Sequence, residues 1–475
     1  MLGPDPDRPD VAVSLDEPYG QSTDELGEPM ATKDVAGWWR RFGDESTTEL
    51  VELALRENYD LRAATARALR SRALLDQATA SLFPTIGLDG SAARSQSSFV
   101  LPDFSGTGGG SQRVQTQATT FNAGLNVSWQ VDLWGKLRRG QQAAGFEAAA
   151  SLADRQALQH TIVANVIQTR VAISTLQQRL SFAEANLESL RSTLDSVQRR
   201  FDAGVGNAVE LRLARENIES AAAQIPPLRS QLATQLHSLA VLTGRRPAAV
   251  EGLPATLEEL PTLPPPPLEL PAALLDQRPD LIASELRAKA TQARIGVAVA
   301  DLLPQLNLAG SLGFQSSDAS DLFDGDSEVW SLLAQVVQPI FEGGRRRAVV
   351  DEARAAADAQ AADYVGLILQ AMKEVEDALA TETSARQEVA FRKRALGEAE
   401  LAEDLARRQF SQGLSTLLTV FEAERRRRGA EEALLLSRQN VWLARINLHL
   451  ALGGDWDLSM PPAEPATLST AGGAR

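Results

Sequence analysis

The side chains that could do chemistry are few and scattered in this chain of 475 residues. His160, His237 and His449 are the only histidines, and none has a second ligand at metal spacing. Cysteine is absent, which removes thiolate metal sites, disulfides and a cysteine nucleophile together. Gly204-Val205-Gly206 lacks the third glycine of a dinucleotide loop and follows a helical pattern, so it suits the tip of a helical hairpin better than a phosphate cradle. Gly108-Gly109-Gly110 is most simply an external loop. Arg425 to Arg428, followed by Glu431 and Glu432, have the spacing of ion pairs along a helix face. No catalytic constellation emerges, so neither an enzyme nor a bound cofactor or metal is expected.

Composition narrows the partners. A formal net charge of −15 and a pI near 4.9 disfavour nucleic acid, whose phosphates need clustered cationic surface. No stretch of 18 apolar residues occurs, which excludes a transmembrane helix but not membrane strands. Met1 opens directly into Gly3-Pro4-Asp5 without a charged and apolar leader, so a chain that works outside the cytoplasm is expected to be a processed or truncated one.

The elements that position the remaining residues come in two copies. Residues 61–84 match 281–304 at an offset of 220, from Leu61 and Leu281 to Pro84 and Pro304. Further on Gly135 matches Gly344, Phe201 and Gly204 match Phe410 and Gly413, and Gly244 matches Gly453, all at an offset of 209. The difference of 11 falls between Pro84 and Gly135, and the composition of 95–118 places a long loop there.

Within each copy two periods appear. Phe121, Ala123, Leu125, Val127, Trp129 and Val131 alternate with Asn122, Gly124, Asn126, Ser128, Gln130 and Asp132, a strand apolar on one face and polar on the other. Leu306, Leu308, Leu312 and Phe314 oppose Gln305, Asn307, Ser311 and Gln315 in the same way; a fourth strand around 329–338 alternates less cleanly. Leu176, Leu180, Ala183, Leu187, Leu190, Leu194, Val197 and Phe201 then follow the spacing of a coiled-coil seam, which predicts a very long helix paired with a returning one. Pro226-Pro227 predicts a bend in the first returning helix.

Four such strands fit the signature of an outer-membrane barrel, with Trp129, Trp134 and Trp330 as candidate interfacial aromatics. They cannot close a barrel alone, because lipid tolerates no open sheet edge. Several chains must share one barrel: two would give eight strands and a filled interior, three would give twelve and an aqueous lumen.

Trp38-Trp39-x-x-Phe42-x-Asp44, Asn58-x-Asp60-Leu61, Arg278-Pro279-Asp280, Gln338-Pro339-x-Phe341-x-Gly343-Gly344 and Leu450-x-Leu452-Gly453-Gly454-x-Trp456 occur in an order that resembles the TolC-like outer-membrane efflux proteins, in the lipoprotein branch that serves resistance-nodulation-division (RND) pumps. The resemblance covers residues 2 to about 457. It implies a mainly α fold with a membrane β-barrel portion: a homotrimer, one shared 12-stranded barrel in outer-membrane lipid, and an α-helical tunnel across the periplasm. It implies a periplasmic adaptor and an inner-membrane RND pump as partners. The acylated cysteine usual before Gly3-Pro4-Asp5 is absent here, Tyr59 stands where proline is usual, and Asn207 and Glu210 stand where serine and aspartate are common.

The resemblance also assigns sites. Gly204, Val205, Asn207, Gly413, Leu414 and Ser415 fall at two periplasmic tips where an adaptor would dock, and Glu422 and Arg425 fall where related channels close. Three copies of Glu422 would form an acidic ring around the axis. The layout expected is an extended arm over 1–43, a first repeat over 44–251, a Pro-rich linker over 252–271, a second repeat over 272–457 and a disordered tail over 458–475. Membrane hairpins are placed at about 83–133 and 304–341, and coiled-coil hairpins at about 136–243 and 345–452. The expected function is a passive efflux duct; the alternatives are the exit duct of type I protein secretion and a soluble periplasmic adaptor.

Overall fold

A computed structural model describes residues 1–10, 38–42, 44–101, 112–247 and 275–453. The linker over 252–271, the tail over 458–475, Gly108 to Gly110 and most of the arm lie outside the described residues. Helices α1 (Glu45–Glu57) and α2 (Tyr59–Ala80) lead into strands β1 (Thr85–Leu101) and β2 (Gln112–Val131). Helix α3 (Lys136–Asp202) follows, and α4 (Ala208–Ala222) and α5 (Ile225–Leu242) return from its end. The second half runs α6 (Pro279–Ala300), β3 (Gln305–Ser316), β4 (Glu328–Val337), α7 (Arg345–Ser411) and α8 (Leu417–Ala451). Helices α3 and α7 have 67 residues each, which at 1.5 Å per residue is roughly 100 Å. The break between α4 and α5 places Pro226 and Pro227 in the first turn of α5, where an amide donor has no helical partner to lose.

The four strands form one antiparallel sheet in the order β1-β2-β3-β4. Its registers put Ile86 opposite Val127, Leu125 opposite Leu312, and Leu312 opposite Trp330, so the apolar residues of all four strands share one face. Asp89, Asn126, Ser311 and Gln335 share the other, where Asn126 donates to Asp89 at 2.7 Å and Ser311 meets Ser331 at 2.8 Å.

The long loop expected over 95–118 is corrected by the ladder. Ser95 to Leu101 pair with Gln112 to Ala118 as a continuation of β1 and β2. Gln96, Ser98, Gln115 and Gln117 continue the apolar face here while Phe99 and Val114 pair on the other, so the hydrophobic alternation of the inner ladder is lost. The strands are held by cross-strand amides instead: Gln96 donates to Gln115 at 3.1 Å, Gln117 to Gln96 at 3.0 Å and Arg94 to Gln117 at 3.0 Å.

The two repeats agree down to single hydrogen bonds. Thr85 opposite Ser128 in the first hairpin becomes Gln305 opposite Val337 in the second, which is the shift of 220 on one strand and 209 on the other. At the foot of each hairpin, Trp129 Nε1 donates to the Leu82 carbonyl at 3.1 Å and Gln338 Nε2 donates to the Leu302 carbonyl at 3.2 Å. At the far end of each returning helix, Asn58 Nδ2 donates to the Leu242 carbonyl at 2.9 Å and Arg278 Nη1 to the Ala451 carbonyl at 3.2 Å. These two clasps take up carbonyls that a helix C-terminus leaves without an intrahelical partner. Arg278 is itself held by Asp280 at 2.6 Å and Glu374 at 2.7 Å.

Contacts divide the chain into two compact units that share the long helices. One contains Met1–Pro9, Leu69–Ala150 and Ser284–Asp363, hence the sheet and the helix ends beside it. Within it the first residues lie along α6 and α3: Asp7 N–H donates to Gln292 at 2.8 Å and Arg139 donates to Asp5 at 2.9 Å. The other unit has cores around Trp38, Val51, Val163 and Ile446, around Leu281, Tyr364, Ile368 and Leu379, and along the hairpin seam of Leu187, Leu190, Val197, Leu211 and Phe421.

Candidate functional site

Both long helices end in the same turn. Gly204 and Gly413 each have φ +74, the left-handed region that glycine enters without a Cβ penalty. The turn closes with Val205 N–H donating to the Arg200 carbonyl at 3.1 Å and Leu414 N–H donating to the Gln409 carbonyl at 2.8 Å. Asn207 then caps α4 by accepting from Val209 N–H at 2.9 Å, and the Ser415 hydroxyl donates to the Ala406 carbonyl at 3.4 Å. Val205 and Leu414 are exposed at matching positions, and so are Val209 and Leu418, the second residue of each returning helix. The latter pair was not singled out from sequence, although the offset of 209 relates it as it relates the glycines.

Glu422 lies one turn and Arg425 two turns beyond Leu418 on the exposed face of α8. The Arg425 guanidinium donates to both Glu422 oxygens, at 2.9 and 2.8 Å, and Arg426 Nε donates at 3.0 Å. The Arg425 and Arg426 guanidiniums hold the Glu422 carboxyl below its ordinary pKa. Two arginines per carboxylate give each chain a local charge of +1 here, so an acidic ring of Glu422 alone does not describe this surface.

The remaining half of the arginine run points inward. Arg427 bonds Glu403 on α7 and reaches Glu431 at 2.7 Å, while Arg407 on α7 reaches Glu424 at 2.9 Å. Arg428 donates to Asn186 on α3. Burial pushes the Glu424 carboxyl pKa up, against the lowering pull of Arg407. Higher on the same pair of helices, Arg445 and Glu382 are almost wholly buried and joined by several hydrogen bonds, two of them at 2.9 Å. These ion pairs tie α7 to α8 and were not legible, because they depend on which residues of α7 face α8.

The sheet carries indoles at both ends of its apolar face. Trp134 Nε1 donates to the Pro304 carbonyl at 2.7 Å beside the helices, where Trp129 also lies. Trp330 stands at the end away from the helices, opposite Leu312. Of the histidines, His449 stacks on Trp38 with ring centroids 4.8 Å apart, and burial pulls the pKa of His160 down to about 3. Among the described residues no group of three or more His, Cys, Asp or Glu side chains could hold a metal ion, and no helix is long and apolar enough to cross a membrane.

Set beside known proteins, the chain matches a family model described as outer membrane efflux protein over residues 50–245 and 270–454. It is 29% identical over 453 residues to the pyoverdine export outer membrane protein OpmQ of Pseudomonas putida, covering 94% of each chain. It is 30% identical over 468 residues to the solvent efflux pump outer membrane protein SrpC of Pseudomonas putida, covering 97% of each. Among solved structures, the outer-membrane channel OprN superposes with a TM-score of 0.84 at 28% identity, over 96% of this chain and 99% of that one.

Proposed function

Because the chain belongs to the outer membrane efflux protein family, we propose that three copies of it close a single 12-stranded barrel in the outer membrane and continue as a helical duct through the periplasm. The observation that carries this reading is the sheet: four strands, apolar on one face and polar on the other over the inner ladder, with no further strand on either edge among the described residues and long helices leaving from one end. Lipid on the apolar side and water on the polar side satisfy both faces, and only neighbouring copies satisfy the edges. Trp129 and Trp134 near one rim and Trp330 at the other suit the two membrane interfaces.

The duct is passive, and its energy comes from an inner-membrane pump of the RND class. A periplasmic adaptor docks at the tips, around Gly204, Val205 and Asn207 and around Gly413, Leu414 and Ser415, where two exposed apolar pairs offer it a grip. Two relatives are named for pyoverdine and for solvent. A wide wet duct does not choose between such cargoes, so selection belongs to the pump.

Glu422 and Arg425 form the gate in this reading. Exposed charge pairs of this kind are individually weak and screened by solvent, so three sets bias a closed tip that partner binding can open. Single-channel recording in planar bilayers tests duct and gate together. The wild-type chain gives a small conductance that needs no nucleotide, and Glu422→Ala combined with Arg425→Ala raises it. Absence of any conductance from correctly assembled protein contradicts the duct, and an unchanged conductance in the double variant removes the gate assignment.

A further inference from the structure

The outward face of β1 and β2 changes character at one level. Along β2 the apolar run from Val131 to Phe121 spans roughly 34 Å at about 3.4 Å per residue, which a strand tilt of about 40° reduces to about 26 Å, close to the height of an outer-membrane apolar band. Phe121 pairs with Ala92 on one side and with Ser316, the last residue of β3, on the other, so a two-stranded ribbon continues beyond it. On the same face of that ribbon the next residues are Arg94, Gln96, Gln117, Gln115 and Arg113. They meet whatever lies immediately above the hydrocarbon.

The side chains of this face form a directed ladder. Arg94 Nη2 donates to Gln117 Oε1 at 3.0 Å, Gln117 Nε2 to Gln96 Oε1 at 3.0 Å, and Gln96 Nε2 to Gln115 Oε1 at 3.1 Å. Each of these amide oxygens already accepts a bond, while every amide and guanidinium keeps N–H groups to spare. Arg94 and Arg113 are the only charged side chains among the described residues of the ribbon, on a chain whose formal net charge is −15. A face that offers donors and positive charge suits anionic oxygens.

Height selects among the anionic lipids. From the level of Arg94, opposite Thr119, the ribbon rises about 16 Å along the membrane normal to Arg113. A phospholipid phosphate stays within about 5–8 Å of the hydrocarbon, at the height of Arg94 and well below Arg113. A lipid whose head is a phosphorylated oligosaccharide reaches both. We propose that this face binds the phosphorylated glycolipid of the outer leaflet, with phosphates on Arg94 and Arg113 and sugars along the glutamines between them. Below the ladder a groove of about 370 Å³ on the apolar face gives an acyl chain a seat: it runs between Leu88, Leu125, Leu312 and Phe314 over the small Ala123. Phe323 returns from the turn after β3 to meet Phe314 edge-on at 5.6 Å and closes the groove at its outer end. The one acid at the groove, Glu328, lies on β4, which steers an anionic head toward β1 and β2. The proposal rests on the membrane barrel and adds a ligand at its outer rim.

The test uses the full-length chain purified in detergent, with trimers verified by detergent-corrected mass. Three labelled probes are compared by fluorescence anisotropy in mixed micelles: lipopolysaccharide truncated to its phosphorylated inner core, the same glycolipid after removal of its phosphates, and phosphatidylglycerol. The phosphorylated glycolipid is expected to bind saturably, and Arg94→Gln combined with Arg113→Gln to weaken it about tenfold. Loss of the probe's phosphates should cost a similar factor, and Arg94→Lys with Arg113→Lys should retain most of the binding. Arg113→Gln alone should weaken the glycolipid but leave phosphatidylglycerol unchanged, because that headgroup stays below it. Undiminished glycolipid binding in the double glutamine variant overturns the site. Equal binding of glycolipid and phosphatidylglycerol, with the same response to Arg113→Gln, overturns the glycolipid as its ligand. Both of those results leave the trimer standing, whereas a monomeric mass overturns the barrel and this site with it.

Discussion

At the scale of residues, charge does two jobs in this chain, separated by burial. Glu422 with Arg425 and Arg426 is exposed and replaceable at little cost to folding, which suits the gate contact proposed for it. Glu382 with Arg445 is buried and must hold, because a lone charge left in that position cannot reach water. Arg445→Leu is expected to cost about 3 kcal/mol, the low end for breaking a buried pair, because Arg386 still donates to Glu382 at 2.8 Å. Replacing both partners, Glu382→Leu with Arg445→Leu, should recover most of that loss. Thermal unfolding in detergent checks this: a single variant as stable as wild type, or a double variant less stable than the single, contradicts it.

At the scale of elements, the tips are where sequence and function meet most directly. Nothing lies within 4 Å of a Cβ built on Gly204 or Gly413, so a side chain there meets open space and only backbone strain. Gly204→Val or Gly413→Val is therefore expected to leave trimers intact while distorting the turn that presents Val205 or Leu414. Export measured in cells, beside the oligomer on a gel, should show lost efflux with unchanged assembly; normal efflux and normal adaptor cross-linking would detach docking from these tips. The turns, the strands over the apolar band and the coiled-coil seam were legible because each leaves a period or a glycine in the sequence. The outer part of the β1–β2 ladder was not, since Gln96, Gln115 and Gln117 stabilise it by pairing across strands rather than by alternating apolar and polar residues. The inward half of the arginine run was equally hidden: Arg427 and Arg428 read like Arg425 and Arg426 until α7 and α3 supply Glu403 and Asn186.

At the scale of the whole molecule, the duplication explains why one chain is both complete and insufficient. Each repeat supplies a hairpin, a long helix and a returning helix, and two repeats share one internal seam. The second seam needs another copy, because a membrane strand cannot leave its amides and carbonyls unpaired in lipid. The barrel and the gate therefore both depend on assembly. Light scattering of the purified full-length chain, corrected for bound detergent and run with circular dichroism on the same sample, tests it most directly. The mass should be that of three chains, with the β signal lost when the trimer is dissociated; a stable monomer that retains its full β signal would contradict the account.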